Sequence, residues 1–509
     1  MTAELQPDSA VGTGRRAQRR GLASNSTSQL LSFAFRAVSG IGVVVLLARS
    51  GGPHSLGVVQ LALTLTSLLP FFYGVPTLLA REVARRPDDA RRWVEAGTLV
   101  SLGFGALFTG LLAGGTLLVG ASRETVLTMG IAALGMAFDG VARVQFAAFW
   151  AWERLSSETW VTGLQEAAYL AGTASVLALG GGPVAALVVF TASRALGACA
   201  GWAIVGRRLG GLPLPRIERG WLRPLLRQCT PFAIGDTLTL TNGRFDSVLL
   251  GVWVGPAAVG LYQAATNLVL HFNVVARSIN RALYPRMGRA WPDRPEEFGR
   301  LRNLSMRIVA LIAVPVTVGS MLLAPRTIDF LYGPSFDPVV LTYQLLIAVI
   351  PIRMAGNTIS LSLAATDRQM MRTIAVAAAA GLNIGLNVYL IPRWSYLGAG
   401  IATVICETAL LLAYAAIQRR VAGPSELFRS NGWPLLASVP MAAAILATAQ
   451  LPFLVSAAAG TIAYVLALLG AAALKARSNG GLPLGRALAA LAQPKRSPAG
   501  RMSASGSRP

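Results

Sequence analysis

The chain is 509 residues long, carries a formal net charge of +23, and is 54% hydrophobic but only 13% charged, with a mean hydropathy of +0.56. Soluble globular chains carry roughly 25% charged residues, so a single water-solvated core is excluded. The basic excess does not mark a nucleic-acid-binding protein either, because Lys and Arg gather in short connections between long apolar runs, the positive-inside pattern of membrane proteins.

Residues 1–25 form a basic tail containing Arg15, Arg16, Arg19 and Arg20. Its charge is that of a signal-sequence n-region, but the apolar run after it is too long for a cleaved h-region and ends without an A-x-A site, which predicts a retained first span. Fourteen apolar runs follow, centred near residues 38, 68, 108, 137, 168, 194, 241, 272, 317, 351, 381, 407, 441 and 464. Most reach the roughly 20 residues that a helix needs to cross a bilayer. The expected fold is therefore an all-α integral membrane protein of about 14 transmembrane helices. Residues 26–206 make an N-terminal six-helix lobe, 207–228 a basic cytoplasmic linker, 229–420 a C-terminal six-helix lobe, 421–475 two additional helices, and 476–509 a disordered basic tail.

With the N-terminus cytoplasmic, 36 of the 45 Lys and Arg residues fall on the inner side, 4 outside and 5 within spans, which places both termini in the cytoplasm. Asn25-Ser26-Thr27 and Asn303-Leu304-Ser305 match the glycosylation pattern but lie on that inner side. Cys199, Cys229 and Cys406 show no CxxC spacing, and His54 and His271 belong to no HExxH pattern. No disulfide framework, metal site or cofactor is expected.

The chain also repeats itself. Gly52-Pro53-x-x-x-Gly57-x-x-Gln60 recurs as Gly255-Pro256-x-x-x-Gly260-x-x-Gln263, a shift of 203 residues that also aligns Leu46-Leu47 with Leu249-Leu250 and Gly40 with Gly243. A Gly-Pro turn between helices is common, yet the register holds over more than twenty residues. Because six spans separate the copies, both would insert the same way up, as parallel repeats with the substrate site between the halves.

Polar stripes mark the faces that avoid lipid. Span 1 carries Gln29, Ser32, Arg36 and Ser39; span 5 carries Glu158, Thr162, Gln165, Tyr169 and Thr173, with Glu166 beside them. Span 7 has Asp236, Thr239, Gly243 and Asp246 with Arg244 close by, span 8 Gln263, Asn267 and His271, span 10 Arg353, Asn357 and Ser360, and span 12 Thr403, Glu407 and Tyr414. Helix-to-helix hydrogen bonding accounts for most of the hydroxyls and amides, and for His271. For the deep charges Arg36, Asp139, Arg143, Glu166, Arg194, Asp236, Arg244, Asp246, Arg353 and Glu407, function and structural pairing stand level; Asp139 and Arg143, four residues apart, are placed to neutralise one another. Five deep arginines meet five deep acids, so a positive interior requires the arginines to face inward more often than the acids. Gly197-x-x-x-Gly201, Gly251-x-x-x-Gly255 and Gly381-x-x-x-Gly385 allow close helix approach.

Several segments together resemble one family. Phe245-Asp246-Ser247-Val248-Leu249-Leu250-Gly251, Val259-Gly260-Leu261-Tyr262-Gln263-Ala264-Ala265 and Tyr284-Pro285 look like the seventh and eighth helices of polysaccharide-biosynthesis flippases. Ala48-Arg49 through Gly57 with Arg81-Glu82-Val83-Ala84, Phe330-Leu331-Tyr332-Gly333-Pro334-Ser335-Phe336, and Asn387-Val388-Tyr389-Leu390-Ile391-Pro392 with Gly398-Ala399-Gly400-Ile401-Ala402-Thr403 agree. The similarity spans roughly residues 26–420, and its motifs are structural rather than catalytic.

The resemblance implies a multi-pass protein of the bacterial cytoplasmic membrane with two lobes around a central cavity. Such a protein moves undecaprenyl-pyrophosphate-linked oligosaccharide to the outer leaflet by alternating access, among membrane lipids and other polysaccharide-assembly proteins, without nucleic acid. It is not an enzyme, and no GxxxxGK[ST] pattern for ATP is present. On that substrate Arg36, Arg244 and Arg353 are the residues expected to hold the pyrophosphate, because a guanidinium stays protonated and offers paired donors. Glu166, Asp246 and Glu407 are the candidates for ion coupling, since a buried carboxyl can exchange a proton. Lipid II and drug or cation exporters of the same superfamily are the alternatives. A membrane-embedded polymerase or glycosyltransferase fits less well, given outer loops as short as 180–183 and 254–259 and no DxD motif.

Overall fold

The structure is a computed structural model that describes residues 9–67, 71–118, 123–214, 216, 220–230, 244–270, 272–425 and 432–478. Among these no strand occurs; the long elements are α1 (Ser9–Ser67), α2 (Phe71–Arg85), α3 (Ala90–Leu118), α4 (Arg123–Ala151), α5 (Leu155–Ala178), α6 (Pro183–Leu209), α7 (Phe245–Trp253) and α8 (Pro256–Leu270). They continue as α9 (Asn273–Ala290), α10 (Pro295–Leu322), α11 (Ala324–Tyr332), α12 (Val340–Ala364), α13 (Gln369–Ala422), α14 (Gly432–Ala447) and α15 (Phe453–Ser478). Asp236, Thr239, Gly243, His271 and nearly all of the 476–509 tail lie outside the described residues.

Among the described residues eight helices are long and apolar enough to cross a membrane, from Thr27–Ser67 to Phe453–Ala473. The chain is a multi-pass integral membrane protein. Two of the eight are not continuous: α1 breaks at Gly52 (φ 66°), and the 54-residue α13 breaks at Ser395 (φ 49°). An unbroken helix of that length would extend about 81 Å, far more than one bilayer crossing of about 30 Å. Gly52 adopts the left-handed conformation without a steric penalty, and Pro53 then restarts the helix where its missing N–H costs nothing.

The burial pattern is inside out relative to a soluble protein. On α1, Ser28, Ser32 and Ser39 are buried while Leu30, Leu31, Phe33, Phe35 and Val38 face outward. On α5 the whole predicted stripe, Glu158, Thr162, Gln165, Glu166, Tyr169 and Thr173, is buried and Trp160 points out. That polar stripe is why α5 is not among the eight strongly apolar helices. A lipid-facing surface must be apolar, because hydrocarbon offers polar groups no partner.

The chain divides into two compact units, one of Met1–Asn267 with Tyr332–Phe336 and Ile391–Tyr396, the other of Leu268–Leu331, Asp337–Leu390 and Leu397–Pro509. In the first, Val75, Leu78, Leu79, Val94, Val144, Phe149, Val161 and Val205 form an apolar cluster where α2, α3, α4, α5 and α6 meet. The Gly197-x-x-x-Gly201 face of α6 admits two glutamines, Gln165 against Gly197 and Gln145 against Gly201, and Gln145 Nε2 donates to the Ala198 carbonyl at 2.9 Å. A methyl group at either glycine would displace them.

The repeated Gly-Pro motifs meet each other in this unit. A Cβ on Gly57 would overlap the carbonyl oxygen of Pro256, and a Cβ on Gly260 would overlap the carbonyl oxygen of Pro53. Contact of residue i with j and of the equivalent j with i is the mark of a twofold relation between copies. Two Cα–H groups therefore face two carbonyls at a separation only glycine permits. Around this clasp, Arg244 Nη1 donates to Ser67 Oγ at 2.8 Å, Gln263 Nε2 approaches Thr64 Oγ1 at 3.4 Å, and Tyr262 donates its hydroxyl to Asp246, whose other oxygen accepts from the Ser247 amide at 2.7 Å. The Tyr332 hydroxyl donates to the Ala264 carbonyl at 3.1 Å.

In the second unit Asn280 Oδ1 accepts from Ser305 at 2.7 Å and from Thr358 at 3.1 Å, tying α9, α10 and α12 together. Arg302, assigned by its sequence to a cytoplasmic connection, is only 2% exposed and donates to the carbonyls of Ala422, Gly423 and Pro424. It caps the C-terminus of α13, where unsatisfied carbonyls carry partial negative charge. Helices α14 and α15 pack through Gly460 against Ile445, and Gly319 of α10 admits Met441. Gly381 and Gly385, by contrast, have no side chain or backbone within 4 Å of a Cβ position, so that small-residue pair joins no helix among the described residues.

The clasp gives a direct test. Gly57→Ala and Gly260→Ala should each lower stability by about 1–3 kcal/mol, whereas Gly110→Ala, which meets nothing within 4 Å, should be neutral or slightly stabilising. Unfolding of the detergent-solubilised variants measures this; equal behaviour of all three would remove the clasp.

Candidate functional site

A cavity of about 640 Å³ opens within the first unit, lined by α1, α2, α4, α5 and α6 together with Arg244 and Asn267. Four arginines reach it, Arg36, Arg143, Arg194 and Arg244, against three carboxylates, Asp139, Glu158 and Glu166. Among the described residues, then, four of the deep arginines and only two of the deep acids face this space. The lining thus carries, among the described residues, a formal excess of one positive charge.

Each charge is held by a partner. Arg143 Nε donates to Asp139 Oδ2 at 2.7 Å, the predicted one-turn pair. Arg194 Nη1 donates to Glu166 Oε1 at 2.9 Å, and its guanidinium lies 4.9 Å from the Phe190 ring centroid and 5.8 Å from that of Tyr169. This is the most enclosed pair, with side chains 12% and 9% exposed. Arg36 stands in the open mouth: its side chain is 48% exposed, with Nη2 3.5 Å from Glu158 Oε1 and 3.4 Å from Thr162 Oγ1. Glu158 accepts a second bond, from Trp150 Nε1 at 2.6 Å.

The stripe on α5 explains this geometry. Residues 158, 162, 165, 166, 169 and 173 fall within one broad helix face, so one element supplies Glu158, Gln165, Glu166 and Tyr169 to the cavity. Helix α1 presents Arg36 and Gly40 on the facing wall, and α6 presents Phe190 and Arg194. Gln29, predicted on the α1 stripe, is exposed, and Ser28 is buried instead.

Of the residues proposed from sequence to hold a phosphate, Arg36 and Arg244 line this cavity. Arg353 does not; it lies in the second unit, bonded to Glu407 through Nη2 at 2.7 Å. Of the three acids proposed for ion coupling, Glu166 lines the cavity paired with Arg194, Glu407 pairs with Arg353, and Asp246 is engaged by Tyr262 and Ser247. Arg143, Arg194 and Trp150 are cavity residues that the sequence reading set aside or did not weigh. Arg194 lies on no polar stripe of its own helix, where its neighbours include Phe190 and Gly197; the polar face that holds its charge belongs to α5 through Glu166, and the Phe190 ring adds a cation–π contact.

The described helices present an apolar exterior and, in the first unit, surround a charged cavity, the arrangement of a membrane protein with a polar space among its spans. Solved structures of membrane proteins are similar to this chain in fold. The inward closed conformation of the lipid II flippase MurJ superposes with a TM-score of 0.69 at 16% identity, covering 90% of this chain and 99% of that one. The inward-facing conformation of a multidrug resistance MATE family transporter of the MOP superfamily superposes with a TM-score of 0.62 at 16% identity, covering 77% and 98%. In sequence, the probable flippase AglR of Haloferax volcanii is 27% identical over 207 residues, which is 40% of this chain and 41% of that relative, so the match spans about two fifths of its length. The model of the polysaccharide biosynthesis protein family matches residues 19–291, more than half of the chain, and this protein belongs to that family.

Proposed function

We propose that this protein is a flippase that carries a lipid-linked oligosaccharide, with undecaprenyl pyrophosphate as the lipid anchor, across the bacterial cytoplasmic membrane by alternating access. The observation that carries the reading is the arginine-rich cavity. A pyrophosphate is the most charged part of such a substrate and the hardest to take from water, and guanidinium groups can replace part of its lost hydration with charge-assisted hydrogen bonds. The positive excess disfavours a cationic drug as cargo for the same reason. Lipid II presents the same pyrophosphate, so the cavity's charge selects a class of anchor and leaves the sugar to other contacts. The name of the Haloferax relative and the fold shared with the lipid II flippase support transport rather than catalysis.

The same reading assigns fourteen spans in two six-helix lobes, divided at 207–228, plus two C-terminal helices, with both termini cytoplasmic. In a version lacking Cys199, Cys229 and Cys406, His54→Cys, Gly182→Cys, Ala257→Cys and Ser335→Cys should react with an impermeant thiol reagent from outside. Asp88→Cys, Arg216→Cys and Arg294→Cys should not; the opposite pattern would invert the topology.

Arg36 and Arg244 approach the cavity from equivalent members of the repeat, span 1 and span 7. Arg36→Ala and Arg244→Ala should leave the protein inserted at normal levels but cut flipping in reconstituted vesicles by about tenfold or more, the loss of one charged hydrogen bond. Arg36→Lys should restore only part, because an ammonium lacks the planar fork. Wild-type flipping by both alanine variants would place the phosphate elsewhere.

A further inference from the structure

Trp150 is an unusual member of the cavity wall. The six residues before it on α4, Val144 to Phe149, are all buried, yet Trp150 is 43% exposed. A tryptophan near a helix end commonly anchors at the membrane interface, where its indole N–H bonds to water or lipid headgroups. Here that N–H is committed inward: Nε1 donates to Glu158 Oε2 at 2.6 Å, and Glu158 is itself 8% exposed and lines the cavity. The other oxygen of the same carboxylate, Oε1, lies 3.5 Å from Arg36 Nη2. One carboxylate thus orients both an indole and a guanidinium.

With its single polar atom satisfied, the surface that Trp150 leaves open is carbon, and the bond to Glu158 tethers the indole. Of the other rings that line the cavity, Phe146 is buried, Phe190 is already covered by Arg194, and Tyr169 packs edge-on against Phe190 at 5.4 Å between centroids. Trp150 is therefore the ring of this group whose surface is open to a ligand. An aromatic face takes up the C–H-bearing face of a pyranose ring through dispersion and weak C–H contacts, and it does so without reading individual hydroxyls. Because Arg36 shares its carboxylate, the platform sits beside the proposed phosphate contact, where the first sugars on a pyrophosphate would lie.

We propose that Trp150 is a saccharide-stacking platform, positioned by Glu158, that lets the cavity distinguish a glycosylated carrier lipid from the bare one. This rests on the reading of the cavity as a lipid pyrophosphate site. The test measures binding to the purified full-length protein of two probes, undecaprenyl pyrophosphate and undecaprenyl pyrophosphate bearing a two-hexose saccharide. The wild-type protein should prefer the glycosylated probe by about tenfold, the upper range for an aromatic contact. Trp150→Ala should abolish that preference, bringing the ratio of the two affinities to about one, and Trp150→Phe, which keeps a π-face and guards against misfolding, should retain much of it. A wild-type protein without preference, or Trp150→Ala weakening both probes alike, would overturn the platform and leave the phosphate site standing. A wild-type protein that binds neither probe would overturn the phosphate site and the platform with it.

Discussion

An ionised group within a hydrocarbon slab needs a partner inside the protein, and the arrangement of the first unit follows from how its arginines find theirs. Moving a charge to the centre of a bilayer costs about 2.5–3.5 kcal/mol even on permissive insertion scales. The pairs Arg36–Glu158 and Arg194–Glu166 meet that cost by joining α1 to α5 and α6 to α5, and Arg143–Asp139 settles its charge within α4. Helix α5 is the common element, which is why its buried face is polar along nearly its whole length. Pairing of this kind leaves little net charge to be desolvated while keeping donors at the cavity surface. An arriving anion competes for guanidinium groups that are already oriented.

The repeated Gly-Pro motif supplies a different kind of constraint. Glycine at 57 and 260 lets two helix starts approach until backbone carbonyls stand where side chains would be, and the two halves of the motif do this for each other. The same residue pattern thus stands on both sides of the contact. Contacts of this type depend on van der Waals packing and weak C–H···O attraction, since lipid provides no hydrophobic drive for helices to associate. Arg244 and Gln263 add hydrogen bonds to Ser67 and Thr64 close to it, so the polar residues of α7 and α8 are tied to α1 across the repeat.

Much of this was legible in the sequence where periodicity carries the information. The α5 stripe at 158, 162, 165, 169 and 173 is buried as spaced, the Asp139–Arg143 pair forms, and the 203-residue repeat corresponds to a reciprocal contact. Periodicity tells which residues share a face but not what stands opposite that face. It therefore named Arg194 among the deep charges without its partners, Glu166 and the Phe190 ring, and missed Arg302, whose partners are backbone carbonyls with no sequence signature. It also placed Arg353 on an inner stripe without revealing that Glu407, 54 residues away, takes its charge. The exposed Gly381 and Gly385 show the converse, a spacing permissive for packing that no partner uses among the described residues.

Photo-crosslinking tests most directly the claim that a lipid-linked headgroup occupies the arginine-lined cavity. A lipid-linked oligosaccharide carrying a photoreactive group on the sugar next to the pyrophosphate would be flashed on the reconstituted protein and the labelled peptides mapped. Labelling should concentrate in α1 near Arg36, in α4 near Trp150 and in α5 near Glu158, and should be competed by the unlabelled lipid. Competable labelling confined to peptides outside the cavity lining, such as those of α12 or α13, would contradict the account.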